Sequence, residues 1–108
     1  MCEFQSLYFS DDGYVVRCNK CSHYQVAFAS TMLNLTEEDF RKLCGVVKNK
    51  NNEPDHYNNS TAKAVVIPTP TNGMYLLLTK KETTRLFEIL EESDNEEKAL
   101  ELLNLFRQ

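Results

Sequence analysis

Two stretches of this sequence align with each other without gaps, and both contain a strand-like run that leads directly into a helix. They are LNLTEEDFRKLCGVV at 33–47 and LLLTKKETTRLFEIL at 76–90. Each has Leu-x-Leu-Thr followed three residues later by Asp or Glu, the pattern of a capped helix N-terminus. An internal duplication and convergence on the same junction both explain the likeness. Both origins predict an α+β fold in which two strand–strand–helix units share an antiparallel sheet, with the helices on one face.

Hydrophobic periodicity and turn residues predict the other elements. Asp11-Asp12-Gly13 separates two strand-like stretches and predicts a hairpin. Five asparagines and the absence of an apolar pattern predict a loop at 49–62. We expect strands at 4–9, 14–17, 23–29, 32–35, 63–67 and 74–78, and helices at 36–48, 79–92 and 95–107.

A chain of 108 residues fits one domain. We expect that domain to span 1–108, with an N-terminal unit at 1–48 and a second strand–helix unit and C-terminal helix at 63–108. The Asn-rich loop would lie between the two units.

The charge of the chain argues against a nucleic-acid role, and its hydropathy argues against a membrane role. The formal net charge is −4, and residues 82–101 contain eight acidic and two basic side chains. Proteins that bind nucleic acid need a basic patch to neutralise phosphates. The apolar run at 74–78 is too short to cross a bilayer, and 1–9 has no signal-peptide pattern. We therefore expect a cytoplasmic protein with a protein partner, and neither a nucleic-acid nor a membrane partner.

The pair Cys18-x2-Cys21 carries the clearest chemistry in the sequence. Its spacing is that of a zinc knuckle, in which one tight turn directs two thiolates at a metal. A structural zinc needs four ligands, so the pair supplies half a site. If Phe9 pairs with Tyr14 in the hairpin, an uninterrupted register places Cys2 opposite Cys21. Cys2 is therefore the predicted third zinc ligand.

The fourth zinc ligand has more than one candidate. His23 lies closest to the pair in sequence, and Cys44, from the predicted first helix, is the alternative. His56, in the predicted loop, is a further candidate. Without a metal, the cysteines would be small half-buried residues, as cysteines in a reducing compartment often are.

Two other functions compete with a zinc-stapled interaction domain. A thiol oxidoreductase would use Cys18 as nucleophile and Cys21 as resolving thiol, although such pairs usually lie at a helix N-terminus. A self-associating structural protein would use the C-terminal helix, whose apolar surface is wider than one stripe; a homodimer is its simplest form. The chain has no Gly-rich phosphate loop and no recognisable catalytic constellation. We therefore expect a protein that is not an enzyme.

Several motifs in the first half of the chain occur together in a known order. They are GYVVRCNKC at 13–21, YQVAF at 24–28 and LNLTEEDF at 33–40, preceded by Cys2. In these motifs the chain resembles an uncharacterised family of small bacterial proteins, found mainly in Bacteroidota. A glycine tends to follow the phenylalanine in that family, where this chain has Ala29. The resemblance implies a bacterial source, and it implies no activity.

Overall fold

The computed structural model describes residues 3–53, 63 and 65–106. Within them the chain forms, in order, β1 (Phe4–Ser10), β2 (Gly13–Cys18), β3 (Tyr24–Phe28), β4 (Thr31–Leu35), α1 (Glu37–Asn52), β5 (Val65–Pro68), β6 (Tyr75–Leu78) and α2 (Lys80–Phe106). The predicted α+β class, with antiparallel strands and packed helices, is confirmed.

The first four strands form an antiparallel meander in the order β1-β2-β3-β4. Val15, Val26 and Leu33 pair across three of these strands and form one buried row. Because successive strand residues point to opposite faces, this row lies on one face of the sheet, which is the face covered by the helices. Both α1 and α2 pack against this sheet.

A bulge changes the register of the first hairpin. Phe9 pairs with Tyr14 as predicted, but the pairing shifts by one residue at Leu7. Phe4 therefore pairs with Cys18 at the open end of the hairpin. Leu7 is the extra residue in β1, and its side chain is buried in the core. The uninterrupted register that we predicted is therefore wrong from Leu7 toward the N-terminus.

The turn between β3 and β4 has two consecutive left-handed residues. Ala29 has a φ of 50° and Ser30 has a φ of 64°. Two positive φ angles are typical of a type I′ hairpin turn, whose twist matches that of the flanking strands. Ala29 thus adopts a glycine-favouring conformation at the position where the family it resembles tends to have glycine.

The last two strands form a separate hairpin rather than part of one shared sheet. β5 pairs with β6, and the described strands make two sheets. Ile67, Leu76 and Leu78 of this hairpin are buried in the common core. The prediction that all strands share one hydrogen-bonded sheet is therefore wrong. The β5–β6 hairpin contacts the rest of the fold by packing against α1 and α2.

Helix α1 begins as predicted and ends later than predicted. The Thr36 hydroxyl accepts a hydrogen bond from the Asp39 N–H at 3.1 Å, which caps the first turn. At the other end, Lys80 Nζ donates to the Asn51 carbonyl at 2.5 Å. This cation satisfies a terminal carbonyl and extends the helix into the predicted loop at 49–62. The rest of that loop, 54–62, lies outside the described residues.

Helix α2 is continuous through the position where we predicted two helices to meet. Its start is confirmed, because Thr79 and Glu82 exchange two hydrogen bonds of 2.9 Å in a capping box. The predicted break at Ser93-Asp94 is wrong. The buried Ser93 hydroxyl donates to the Ile89 carbonyl at 2.7 Å, so it is satisfied within the helix and caps nothing.

The core fills the space between the sheets and the two helices, and its members come from all eight elements. No helix in the described part of the chain is long and apolar enough to span a membrane. The buried cluster consists of Leu7, Val15, Tyr24, Val26, Phe28, Leu33, Leu35, Phe40, Leu43, Val47, Ile67, Leu76, Leu78, Leu86, Ile89 and Leu90.

Candidate functional site

The Cys-x2-Cys pair lies in the turn that joins β2 to β3. The Cys18 N–H donates to the His23 carbonyl at 2.8 Å, and the Ser22 N–H donates back to the Cys18 carbonyl at 3.0 Å. Ser22 has a φ of 61°, so the residue after the second cysteine is left-handed. These contacts reverse the chain within four residues and bring both cysteines to the same turn.

A backbone amide of this turn points at the first sulfur. The Cys21 N–H donates to Cys18 Sγ at 3.5 Å. An amide dipole directed at a sulfur favours negative charge on it, and a thiolate is the form that binds metal. Cys18 is fully buried and Cys21 is exposed. The turn therefore presents one sheltered and one accessible sulfur.

His23 adjoins the turn with one ring nitrogen already bound. Its Nδ1 lies 3.1 Å from the Cys21 carbonyl oxygen. A carbonyl can only accept, so Nδ1 is the donor, and in the neutral imidazole the lone pair lies on Nε2. This is the tautomer in which metal-ligating histidines are commonly held by a backbone carbonyl.

The start of β1 lies beside the turn. The Asn19 N–H donates to the Glu3 carbonyl at 2.8 Å, and Lys20 Nζ lies 3.7 Å from Glu3 Oε1. The shifted register of β1 removes the pairing from which we placed Cys2 opposite Cys21. Cys2 directly precedes Glu3 in sequence and lies outside the described residues. The structure thus brings Cys18, Cys21 and His23 to one turn and leaves Cys2 as a predicted ligand.

Cys44 occupies a different part of the molecule. It lines a groove of about 210 Å³ between α1 and α2, with Arg41 and Phe87 among its neighbours. Burial raises the pKa of the Cys44 thiol to about 11. A neutral thiol at a helix–helix contact is typical of a small packing residue.

The described residues contain no ready-made cluster of three or more His, Cys, Asp or Glu side chains suited to a metal. Cys18, Cys21 and His23 therefore share one turn without forming such a cluster by themselves. For the alternative redox function, the elements that flank the pair are strands, whereas a catalytic dithiol usually lies at a helix N-terminus.

A buried carboxylate, Glu97, lies near this turn and was missed in the sequence. The Tyr24 hydroxyl donates to Glu97 Oε2 at 2.6 Å, and Arg41 Nη2 donates to Oε1 at 2.6 Å. Arg17 Nε lies 3.5 Å from Oε2. Arg17 Nη2 also donates to the Ser22 hydroxyl at 3.3 Å. The network therefore connects the cysteine turn to α1 and α2.

Tyr24 lies at the centre of this network. Its ring stacks on Phe40 with centroids 4.1 Å apart and an interplanar angle of 1°. The guanidinium carbons of Arg17 and Arg41 lie 5.7 and 5.9 Å from its centroid, within cation–π range. The ring thus packs on an apolar face while its hydroxyl is bound by the carboxylate.

Burial and the hydrogen bond to Glu97 raise the pKa of Tyr24 to about 12. Burial disfavours the charge of Arg41, but the hydrogen bond to Glu97 and the nearby carboxylate charges outweigh it. They raise the pKa of Arg41 above its ordinary value. Both shifts fix Tyr24 as a neutral donor and Arg41 as a cation at physiological pH.

One signal in the sequence indicated Glu97. It lies four residues after Ser93 and seven after Leu90, so helical spacing places it on the buried stripe of α2. We missed it because the predicted break at Ser93-Asp94 removed that continuity. A charged residue on a buried stripe needs partners, and the two arginines from β2 and α1 supply them.

A second ion pair fastens α2 to the tip of the first hairpin. Arg85 binds Asp12 through Nε at 2.6 Å and Nη2 at 3.2 Å, and it also donates to the Tyr8 hydroxyl. The hydrogen bond from Arg85, followed by that from Ser10, lowers the pKa of Asp12 to about 2. In the described part of the chain, every buried side-chain nitrogen and oxygen has a hydrogen-bond partner.

Comparison with known proteins gives a family and nothing further. A family model described as a family of unknown function, DUF6686, matches residues 1–106. No curated protein and no solved structure matches the chain significantly.

Proposed function

Since the chain belongs to the DUF6686 family, whose function is unknown, we propose from its own geometry that it is a small non-enzymatic interaction domain stapled by zinc. The zinc binds at the turn that joins β2 to β3. Cys18 and Cys21 are its first two ligands, and Cys2 and His23 complete the set. The resemblance to small bacterial proteins supports a bacterial source. A cytoplasmic setting, in which the cysteines stay reduced, is part of the same proposal.

One observation carries the zinc proposal. The Cys21 N–H points at Cys18 Sγ, and left-handed Ser22 closes the turn directly after the second cysteine. The amide stabilises negative charge on the Cys18 sulfur, as the amides of a zinc knuckle do. The tautomer of His23 and the hydrogen bond between Asn19 and Glu3 support the other two ligands.

Two further observations favour binding over catalysis. The charged side chains near the turn and at the hairpin tip already hold one another, as Glu97 holds Arg41 and Asp12 holds Arg85. Large apolar side chains are exposed on the outer face of the β5–β6 hairpin and at the end of α2. Exposed apolar patches of this kind mark interaction surfaces.

Metal analysis tests the zinc proposal. Protein purified without chelator should carry about one zinc per chain, because a structural site of this class binds a single ion. Cys18→Ser and Cys21→Ser should abolish binding, and Cys44→Ser is the matched control that should retain it. Chelation should lower Tm by at least about 5 °C, since structural zinc contributes directly to folding.

Other outcomes of the same experiment are equally informative. Zinc loss in Cys44→Ser with retention in His23→Asn would identify Cys44 as the fourth ligand in place of His23. A metal-free wild type with a reversible Cys18–Cys21 disulfide would favour the oxidoreductase alternative. Zinc that persists in both Cys18→Ser and Cys21→Ser would overturn the proposed site.

A further inference from the structure

The apolar surface of α2 changes sides near its C-terminal end. The residues that α2 buries up to Ser93 lie on one side of the helix, and Glu97 ends that stripe. Leu100 still packs against the core on the buried side, whereas at 100° per residue the four exposed large apolar residues after it point the opposite way. They are Leu102, Leu103, Leu105 and Phe106, which are between 50% and 85% exposed.

The solvent-facing side of the same helix changes from polar to apolar toward its C-terminal end. Earlier positions on that side are Glu88, Glu91, Glu92 and Asn95, all exposed or partly exposed polar residues of an ordinary solvated face. Beyond Ala99 the same side becomes apolar. After Leu100, which is its last contact with the core cluster, the helix therefore presents an apolar surface outward.

The end of α2 also extends past the helix that accompanies it. Arg41, in the second turn of α1, binds Asp94 and Glu97, so α1 begins beside that part of α2. The C-terminal turns of α2 continue beyond that start. The molecule is accordingly elongated, with principal extents of 52, 27 and 24 Å. We name residues 99–106 the terminal segment.

We propose that the terminal segment is a dimerisation surface that packs against the same segment of a second copy of this chain. This names a partner for the interaction role proposed above and does not depend on bound zinc. The two segments run antiparallel about a two-fold axis, so that their helix dipoles oppose each other.

The size and composition of the surface favour a second copy. Complete burial of the four exposed side chains on both copies would remove roughly 1,000 Å² from solvent, which is the lower limit for a specific interface. The outward stripe from Leu102 to Phe106 has no charged side chain to recognise a partner of opposite sign. When the same apolar patch of two copies packs together, the contact is symmetric and gives a closed dimer.

A second exposed apolar face provides both the competing explanation and a control. Leu77, on the outer face of the β5–β6 hairpin, is 58% exposed, close to the 56% of Leu102. If the terminal segment bound that face instead, each contact would join two different surfaces. Such a contact produces an open chain of copies unless its rotation closes a ring.

Sedimentation or light scattering of the full chain over a range of concentrations tests the proposal. Wild type should form a dimer, and Leu103→Glu and Phe106→Glu should each weaken it at least about tenfold. Leu77→Glu should leave the dimer intact. Both terminal-segment variants should keep the wild-type circular dichroism spectrum and zinc content, because their side chains are exposed.

A monomeric wild type at all concentrations would overturn the proposal. Growth beyond a dimer that Leu77→Glu abolishes would also overturn it, in favour of the β5–β6 face. Zinc content is measured on the same samples, so a failure of dimerisation is distinguishable from a failure of the zinc site.

Discussion

The Tyr24 hydroxyl donates a hydrogen bond of 2.6 Å to Glu97 Oε2, which joins β3 to a helix position 73 residues later in the chain. Arg41 from α1 binds the other carboxylate oxygen, and Arg17 from β2 approaches the first. One carboxylate therefore holds three other elements against α2. Because Arg17 also binds Ser22, the network positions the cysteine turn as well.

Glu97→Gln should destabilise the domain by about 2 kcal/mol, because it removes the counter-charge beside Arg17 and one of the two carboxylates that bind Arg41. The amide keeps the shape of the side chain, so the loss reports charge rather than packing. Urea denaturation of both proteins at neutral pH measures the difference.

Glu96→Gln is the matched control for that variant. Glu96 is the exposed neighbour, and its substitution should change stability by less than about 0.5 kcal/mol. Equal effects from the two variants would mean that Glu97 does not organise the network.

Tyr24 should make the domain sensitive to alkaline pH. Its pKa is about 12 in the folded chain, against 10.0 for an ordinary tyrosine. A raised folded pKa gives stability that is complete below pH 10 and is lost as pH rises toward 12. The difference corresponds to a loss on the order of 2 kcal/mol.

Stability measured from pH 9 to 12 isolates this contribution when wild type is compared with Tyr24→Phe. The variant lacks the ionisable hydroxyl, so its curve should fall less steeply across that range. Tyr75→Phe removes an exposed hydroxyl and should behave like wild type. Parallel curves for wild type and Tyr24→Phe would exclude a specific role for this group.

Local signals in the sequence predicted the local structure well. The N-terminal caps at Thr36 and Thr79 formed as expected, because the cap hydroxyl accepts from the amide three residues later. At Thr79 the Glu82 carboxylate also accepts from the cap amide, which completes a capping box. The four strands of the meander also lie where alternation placed them. These features depend on neighbours within a few residues, which a single sequence contains.

Features that depend on distant contacts were predicted less well. The bulge at Leu7 depends on core packing. The late end of α1 depends on Lys80, which is far from it in sequence. The cysteine turn was predicted from spacing, whereas the Glu97 network needed α2 to be continuous. A Ser-Asp pair indicates a helix start on local grounds, and tertiary packing overrode it.

Replacing each of two glycines with alanine should change the stability of the domain in opposite directions. A Cβ at Gly13 would lie 2.6 Å from the Ala27 carbonyl oxygen, which is backbone and cannot move without disturbing the β2–β3 pairing. Gly13→Ala should therefore destabilise the domain by about 2 kcal/mol. A Cβ at Gly45 would meet no heavy atom within 4 Å apart from its chain neighbours and the adjacent backbone of its own helix.

Gly45→Ala should stabilise the domain by about 0.5–1 kcal/mol, because Gly45 lies inside α1, where alanine restricts the unfolded chain and fits the helix without contact. Thermal and urea denaturation of the two variants beside wild type measure both changes. If Gly45→Ala is neutral, α1 is frayed at that turn. If Gly13→Ala is neutral, the first hairpin adjusts its backbone at the point where β2 meets Ala27.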